Sequence, residues 1–173
     1  MSFQDIKIVE KGSGSVRKYL VDDRTTSGAA ATIKAGEPVK RASDGSPFVI
    51  LLADGDPERG TDRMVGIAIE ESSETSTVDG EVLVFVPGPD TVLEAKATTA
   101  ANVDTQAEID ALLGDVVSMD LTAGVFTLDE NEGNDDNVHG FIIVGGDPDR
   151  QTLRFTVKNF VLEAGSVTGQ TND

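Results

Sequence analysis

The chain has 173 residues, 38% hydrophobic and 5% aromatic, with 18 glycines; it is long enough for one domain with its own core, and its composition favours short strands and tight turns over disorder. The absence of cysteine excludes disulfides, thiolate metal sites and a cysteine nucleophile. A net charge of −17 repels phosphate backbones and anionic surfaces, and no run approaches the roughly 20 apolar residues of a membrane span, so neither nucleic acid nor membrane is expected as a partner.

The chain opens MSFQDIKIVEKGSGS, with no apolar stretch behind a basic start, and does not read as a secretory leader. Residues 1–27 carry two short apolar patches, Ile6-Lys7-Ile8-Val9 and Tyr19-Leu20-Val21, separated by Gly12-Ser13-Gly14-Ser15. That joint is too short for a phosphate loop and lacks its Gly-Lys-Ser/Thr ending. The segment reads as an extended N-terminal arm, too broken to build its own core yet apolar enough to add strands to another sheet edge. Residues 1–24 hold five basic and four acidic residues, against nine basic and 27 acidic in the rest. The arm therefore approaches an acidic surface with the least repulsion, and Ile6, Ile8, Val9, Arg17, Tyr19, Leu20, Val21 and Arg24 are the candidate partner-binding residues.

From about residue 32 the chain turns to brief apolar runs broken by Gly, Pro and Asp: PVK, PFVILLA (47–53), VGIAIE (65–70), EVLVFV (81–86) and TVLEAKA (91–97). These read as strands, with VLVFV and FVILL covered on both faces and TVLEAK half-exposed. Thr105 with Glu108 forms a capping box, and Ile109, Leu112 and Leu113 make an apolar stripe ending at Gly114, so a helix is predicted over roughly 106–113. VVSMDL and VFTLDE flank Thr122-Ala123-Gly124, a hairpin link. FIIVG and TLRFTVKNFVL complete the strands, and residues 164–173 are a polar tail.

Two near-identical heptapeptides, GDPERGT (55–61) and GDPDRQT (146–152), each leave one apolar run and enter another. Asp before Pro suits a type I turn, so both read as surface turns between strands, with Arg59 and Arg150 paired to nearby carboxylates or facing an acidic partner. The acidic run DENEGNDD (129–136) offers oxygen ligands, but counting from Asp129 puts Gly133 at position 5 and Gly140 at 12, which breaks the EF-hand pattern. It reads as a solvated hairpin loop or an irregular calcium site. His139 lacks any Gly-x-Ser-x-Gly elbow in the chain. A small β-fold hydrolase would need a nucleophile within hydrogen-bond reach of that ring. No catalytic residue and no cofactor is expected.

The run ATIKAGEPVK (31–40), then FVILLAD, then VGIAIEESSETSTVDGEVLVFVPG resembles the head decoration, or capsid cement, proteins of tailed bacteriophages. The residues that carry the likeness are Thr32, Ala35, Gly36, Pro38 and Val39, then Gly66, Ile67 and Ala68, then Gly80, Val82 and Val84. It covers residues 28–97 of a β-rich domain at 28–163; residues 98–163 lie outside it. The resemblance implies a mainly β, tulip- or barrel-like fold, no enzymatic activity and no cofactor. It also implies a homo-oligomer, favoured as a trimer, made in the host cytoplasm and bound to the major capsid protein on the outer surface of the virion. The rival binding reading is a head-fibre or adhesin domain recognising a receptor or glycan.

Overall fold

A computed structural model of the chain describes residues 5–23, 32–42, 46–57, 64–132 and 139–158. The short apolar runs become twelve strands among these residues: β1 (Ile6–Glu10), β2 (Ser15–Val21), β3 (Pro38–Arg41), β4 (Val49–Leu51), β5 (Met64–Ala68), β6 (Gly80–Val86), β7 (Val92–Lys96), β8 (Val116–Val117), β9 (Met119–Thr122), β10 (Val125–Leu128), β11 (Phe141–Asp147) and β12 (Thr152–Val157). One sheet runs β1-β7-β12-β11-β8 and the other β2-β6-β5-β3-β4, every neighbouring pair antiparallel. β9 and β10 form a separate hairpin. The fold is mainly β with one short helix, and it is not a closed barrel. A single parallel bridge from Leu20 to Phe48 draws the far end of the second sheet back towards β2, so that sheet curls without a closing ladder.

Alternation along the strands divides the apolar side chains between two cores. The larger takes Ile6, Leu93, Phe141, Leu153 and Phe155 from the first sheet, Ile67 and Phe85 from the second, and Phe126 and Leu128 from the hairpin. Phe141 and Phe155 meet edge to face, centroids 5.0 Å apart, a geometry the ring quadrupole favours. The smaller core is lined by Val21, Val39, Val49, Val65, Ala68, Val82 and Val84, from all five strands of the curled sheet. A bulge reconciles β5 with both. Val39 pairs with Gly66 but Lys40 with Met64, leaving Val65 as the extra residue. Met64 and Ile67 therefore face the larger core, and Val65 and Ala68 the smaller. Gly66 is required there, because a side chain would run into the Phe85 carbonyl. Gly36, at φ 92°, turns the chain into β3, which Pro38 opens opposite Ile67. Gly80 opens β6 opposite Val21.

The helix α1 (Gln106–Ala111) carries the expected capping box: the Glu108 amide donates to the Thr105 hydroxyl at 3.3 Å and the Thr105 amide to Glu108 Oε2 at 3.0 Å. Ile109 is buried and Leu112 packs against the larger core, but Leu113 is exposed because the helix ends before completing its predicted stripe. The β9–β10 turn is a two-residue loop with both Ala123 (φ 54°) and Gly124 (φ 78°) left-handed, the geometry that matches the twist of a hairpin.

The N-terminal segment departs from its expected form. It does not await a partner to become ordered: β1 pairs with β7 and β2 with β6 of the same chain, one at the edge of each sheet.

Candidate functional site

Residues 5–23 are pinned by contacts far along the chain. The Ile6 amide donates to the Gly36 carbonyl at 3.1 Å, and the Phe126 amide to Asp5 Oδ2 at 3.0 Å. Between the two strands, the Thr91 hydroxyl donates to the Lys11 carbonyl at 2.8 Å and the Ser13 amide to Asp90 Oδ1 at 2.7 Å. The Ser13 hydroxyl and amide hold the Asp90 carboxyl below its ordinary range. Burial pushes Asp5 up, against the opposing pull of the Phe126 amide and Lys34.

Alternation decides which side chains of this segment are accessible. Tyr19 and Val21 share a face with Val82 and Val84 and pack into the smaller core, with the Arg41 guanidinium 5.1 Å from the Tyr19 ring centre. Val16, Lys18 and Leu20 take the other face, beside Phe85, Leu83 and Glu81. That face is the one that buries Phe85 and Ile67 in the larger core. It continues into solvent as Val16 (48% exposed), Leu20 (44%) and Ile69, crossed by the Lys18–Glu81 ion pair at 2.9 Å. On β1, Ile8 (39%) and Val9 (43%) are exposed.

The candidate partner-binding residues therefore divide. Ile8, Val9, Arg17 and Leu20 are exposed. Ile6 and Val21 are core residues and are corrected accordingly, Tyr19 is half-buried, and Arg24 lies outside the described residues. Val16 was missed because it follows the Gly-Ser joint directly; counting back in twos from Leu20 identifies it.

The heptapeptides are structural in different ways. In the first, Lys40 Nζ and the Ala53 amide both donate to Asp56 Oδ2, each at 2.7 Å, and both side chains of the ion pair are buried. The Asp56 carbonyl and Gly55 amide bond across to Met119 at 2.9 and 2.8 Å. Pro57, expected on the surface, is buried there. Arg59 lies outside the described residues. In the second, Asp147 accepts from Arg150 Nε at 2.7 Å and the Arg150 amide at 3.2 Å. Arg150 also pairs with Glu94 at 3.0 Å, and Arg154 Nε donates to Glu94 at 3.3 Å, so two guanidiniums cover a buried carboxylate on β7. This is why β7 is more buried than its alternation suggested.

Of the acidic run, residues 129–132 are described. Glu130 is buried and accepts from the Thr98 and Thr99 amides at 2.9 Å, Asn102 Nδ2 at 3.1 Å and Asn131 Nδ2 at 3.0 Å. Its lone pairs clasp the loop before α1. Next to it, the Ser118 hydroxyl donates to Glu132 Oε2, and the same oxygen lies 3.8 Å from His139 Nδ1. A hydrolytic triad needs the imidazole between hydroxyl and carboxylate; here the carboxylate stands between hydroxyl and imidazole. Asp22, Asp23 and Asp79 bring carboxylate oxygens within 4.8 Å of one another at the end of β2, with exposures from half-buried to open.

Comparisons of this chain with protein-family models, with curated proteins and with solved structures find no match.

Proposed function

We propose that this is a non-enzymatic capsid decoration protein that binds the outside of a phage head, stabilises the shell by bridging capsid subunits, and clusters as a homo-oligomer, favoured as a trimer. The reading rests on the likeness of residues 28–97 to that family. The observation that carries it further is the set of exposed side chains on the two N-terminal strands. Ile8, Val9, Val16 and Leu20 are four exposed large apolar side chains, placed among Lys7, Lys11, Arg17 and Lys18 in a chain of net charge −17. An acidic, apolar-edged shell surface fits that combination, because the basic side chains lower the repulsion while apolar burial supplies the affinity.

Co-sedimentation of the purified chain with phage capsids tests the reading. Deleting the segment is the wrong variant, since Ile6 and Val21 belong to the cores. Arg17→Glu with Leu20→Glu keeps both cores and is expected to weaken capsid binding about tenfold or more, on the order of 1.4 kcal/mol. A folded wild-type chain that never sediments with capsids refutes the function; undiminished binding by the double variant moves the contact to another surface.

A further inference from the structure

We propose that Glu132 and His139 form a binding site for a divalent transition-metal ion of the zinc type, at the base of the acidic loop. The ring of His139 is almost wholly buried, and its Nδ1 has no hydrogen-bond partner among the described residues. A buried imidazole nitrogen left this way is costly, so a group that satisfies it is favoured. The atom facing it is Glu132 Oε2, at 3.8 Å. That is too long for a hydrogen bond. It is close to the spacing of two atoms on one zinc ion, since bonds of about 2.0–2.2 Å at a tetrahedral angle set nitrogen and oxygen roughly 3.3–3.5 Å apart. A few tenths of an ångström of closure by the partly exposed Glu132 side chain brings the pair to that spacing.

Ser118 supports this geometry. It is buried, and its hydroxyl donates to Glu132 Oε2, fixing the carboxylate as partners of metal-bound carboxylates do. The donor set also selects the ion. Calcium and magnesium take oxygen ligands, whereas one imidazole nitrogen with a carboxylate suits zinc, nickel or cobalt. Neighbouring Glu130 is spent on four donors and does not compete.

His139 is the single histidine of the chain, which gives the test one unambiguous reporter. Zinc chloride is titrated into the full, untagged chain without capsids, so failure here leaves the attachment reading untouched. Nuclear magnetic resonance follows the ring nitrogens and calorimetry the affinity. One equivalent of zinc is expected to shift Nδ1 selectively. Calcium or magnesium at the same concentration should leave the ring unmoved, and His139→Gln and Glu132→Gln should each weaken zinc binding at least tenfold. An unperturbed ring, a ring bound through Nε2, or equal zinc binding by His139→Gln overturns the assignment. The ring signal of the wild-type chain decides the matter even if a variant fails to fold.

Discussion

Gly55-Asp56-Pro57 and Gly146-Asp147-Pro148 begin as the same three residues, yet one aspartate holds strands together from inside and the other closes a turn on the outside. Asp56 neutralises a buried Lys40 from β3 while its backbone bonds to β9. Asp147 grips Arg150, three residues on, at the mouth of the β11–β12 hairpin. A local sequence thus sets what its carboxylate can accept, and the strand beside it decides what that acceptance is worth.

The largest predicted effect comes from breaking the first pair. Asp56→Ala removes the carboxylate that faces a buried ammonium, and loss of one partner of a buried pair costs about 3–5 kcal/mol. Adding Lys40→Met should recover part of that loss, because the buried ammonium goes with it. Urea melts of both variants check this. A single variant within about 0.5 kcal/mol of wild type would show that surface water screens the pair.

Asp147→Ala should have a small effect by comparison. Arg150 keeps Glu94, and the Asp147–Arg150 contact is open to water. Its signature lies in the acid limb. The Arg150 side chain holds the Asp147 carboxyl below its ordinary 3.8. Its contribution is therefore present above pH 3.8 and lost as pH falls through the lower folded value. Glu37 has the opposite sign: burial raises it above 4.5, helped by the charge of Asp5 and opposed by the Lys34 amide. That contribution is present below pH 4.5 and lost as pH rises through the raised value. Melting temperature against pH should lose part of its acid fall in Asp147→Ala, and in Glu37→Gln should lose a decline that begins above pH 4.5. A Glu37→Gln profile parallel to wild type would refute the second.

Features settled within a few residues were legible in the sequence. The Thr105/Glu108 capping box, the Ala123-Gly124 turn and most strand positions follow from local pattern. What depended on distant partners was not. Residues 6–21 were judged by the core they could build alone, whereas their order comes from β7 and β6, 59 to 89 positions away. Lys40 stands in the sequence only as part of the PVK run, and nothing local shows that Asp56 pairs with it. Glu130 reads as part of a solvated acidic run until the Thr98 and Thr99 amides are brought to it. The pairing of Glu132 with His139 is equally hidden, because six residues separate them and their meeting depends on how the loop between them closes.

The smallest predicted effect sharpens the comparison at the sixth heptapeptide position, where the first copy has Gly60 and the second Gln151. Gln151 sits at φ 53°, in the left-handed region, while its amide donates to the Pro148 carbonyl at 3.2 Å and its carbonyl accepts from the Ala97 amide at 3.2 Å. These bonds hold the backbone whichever side chain is present. Left-handed geometry costs an ordinary residue about 1 kcal/mol, and asparagine tolerates it better through its short polar side chain. Gln151→Asn should accordingly stabilise the chain by roughly 0.5 kcal/mol. Gln151→Gly, which copies the first heptapeptide, relieves the same strain but loosens the unfolded chain and should gain less. If urea melts rank glycine above asparagine, backbone strain at this turn outweighs unfolded-state entropy, and the residue at position 60 is better suited to the second heptapeptide than the one it has.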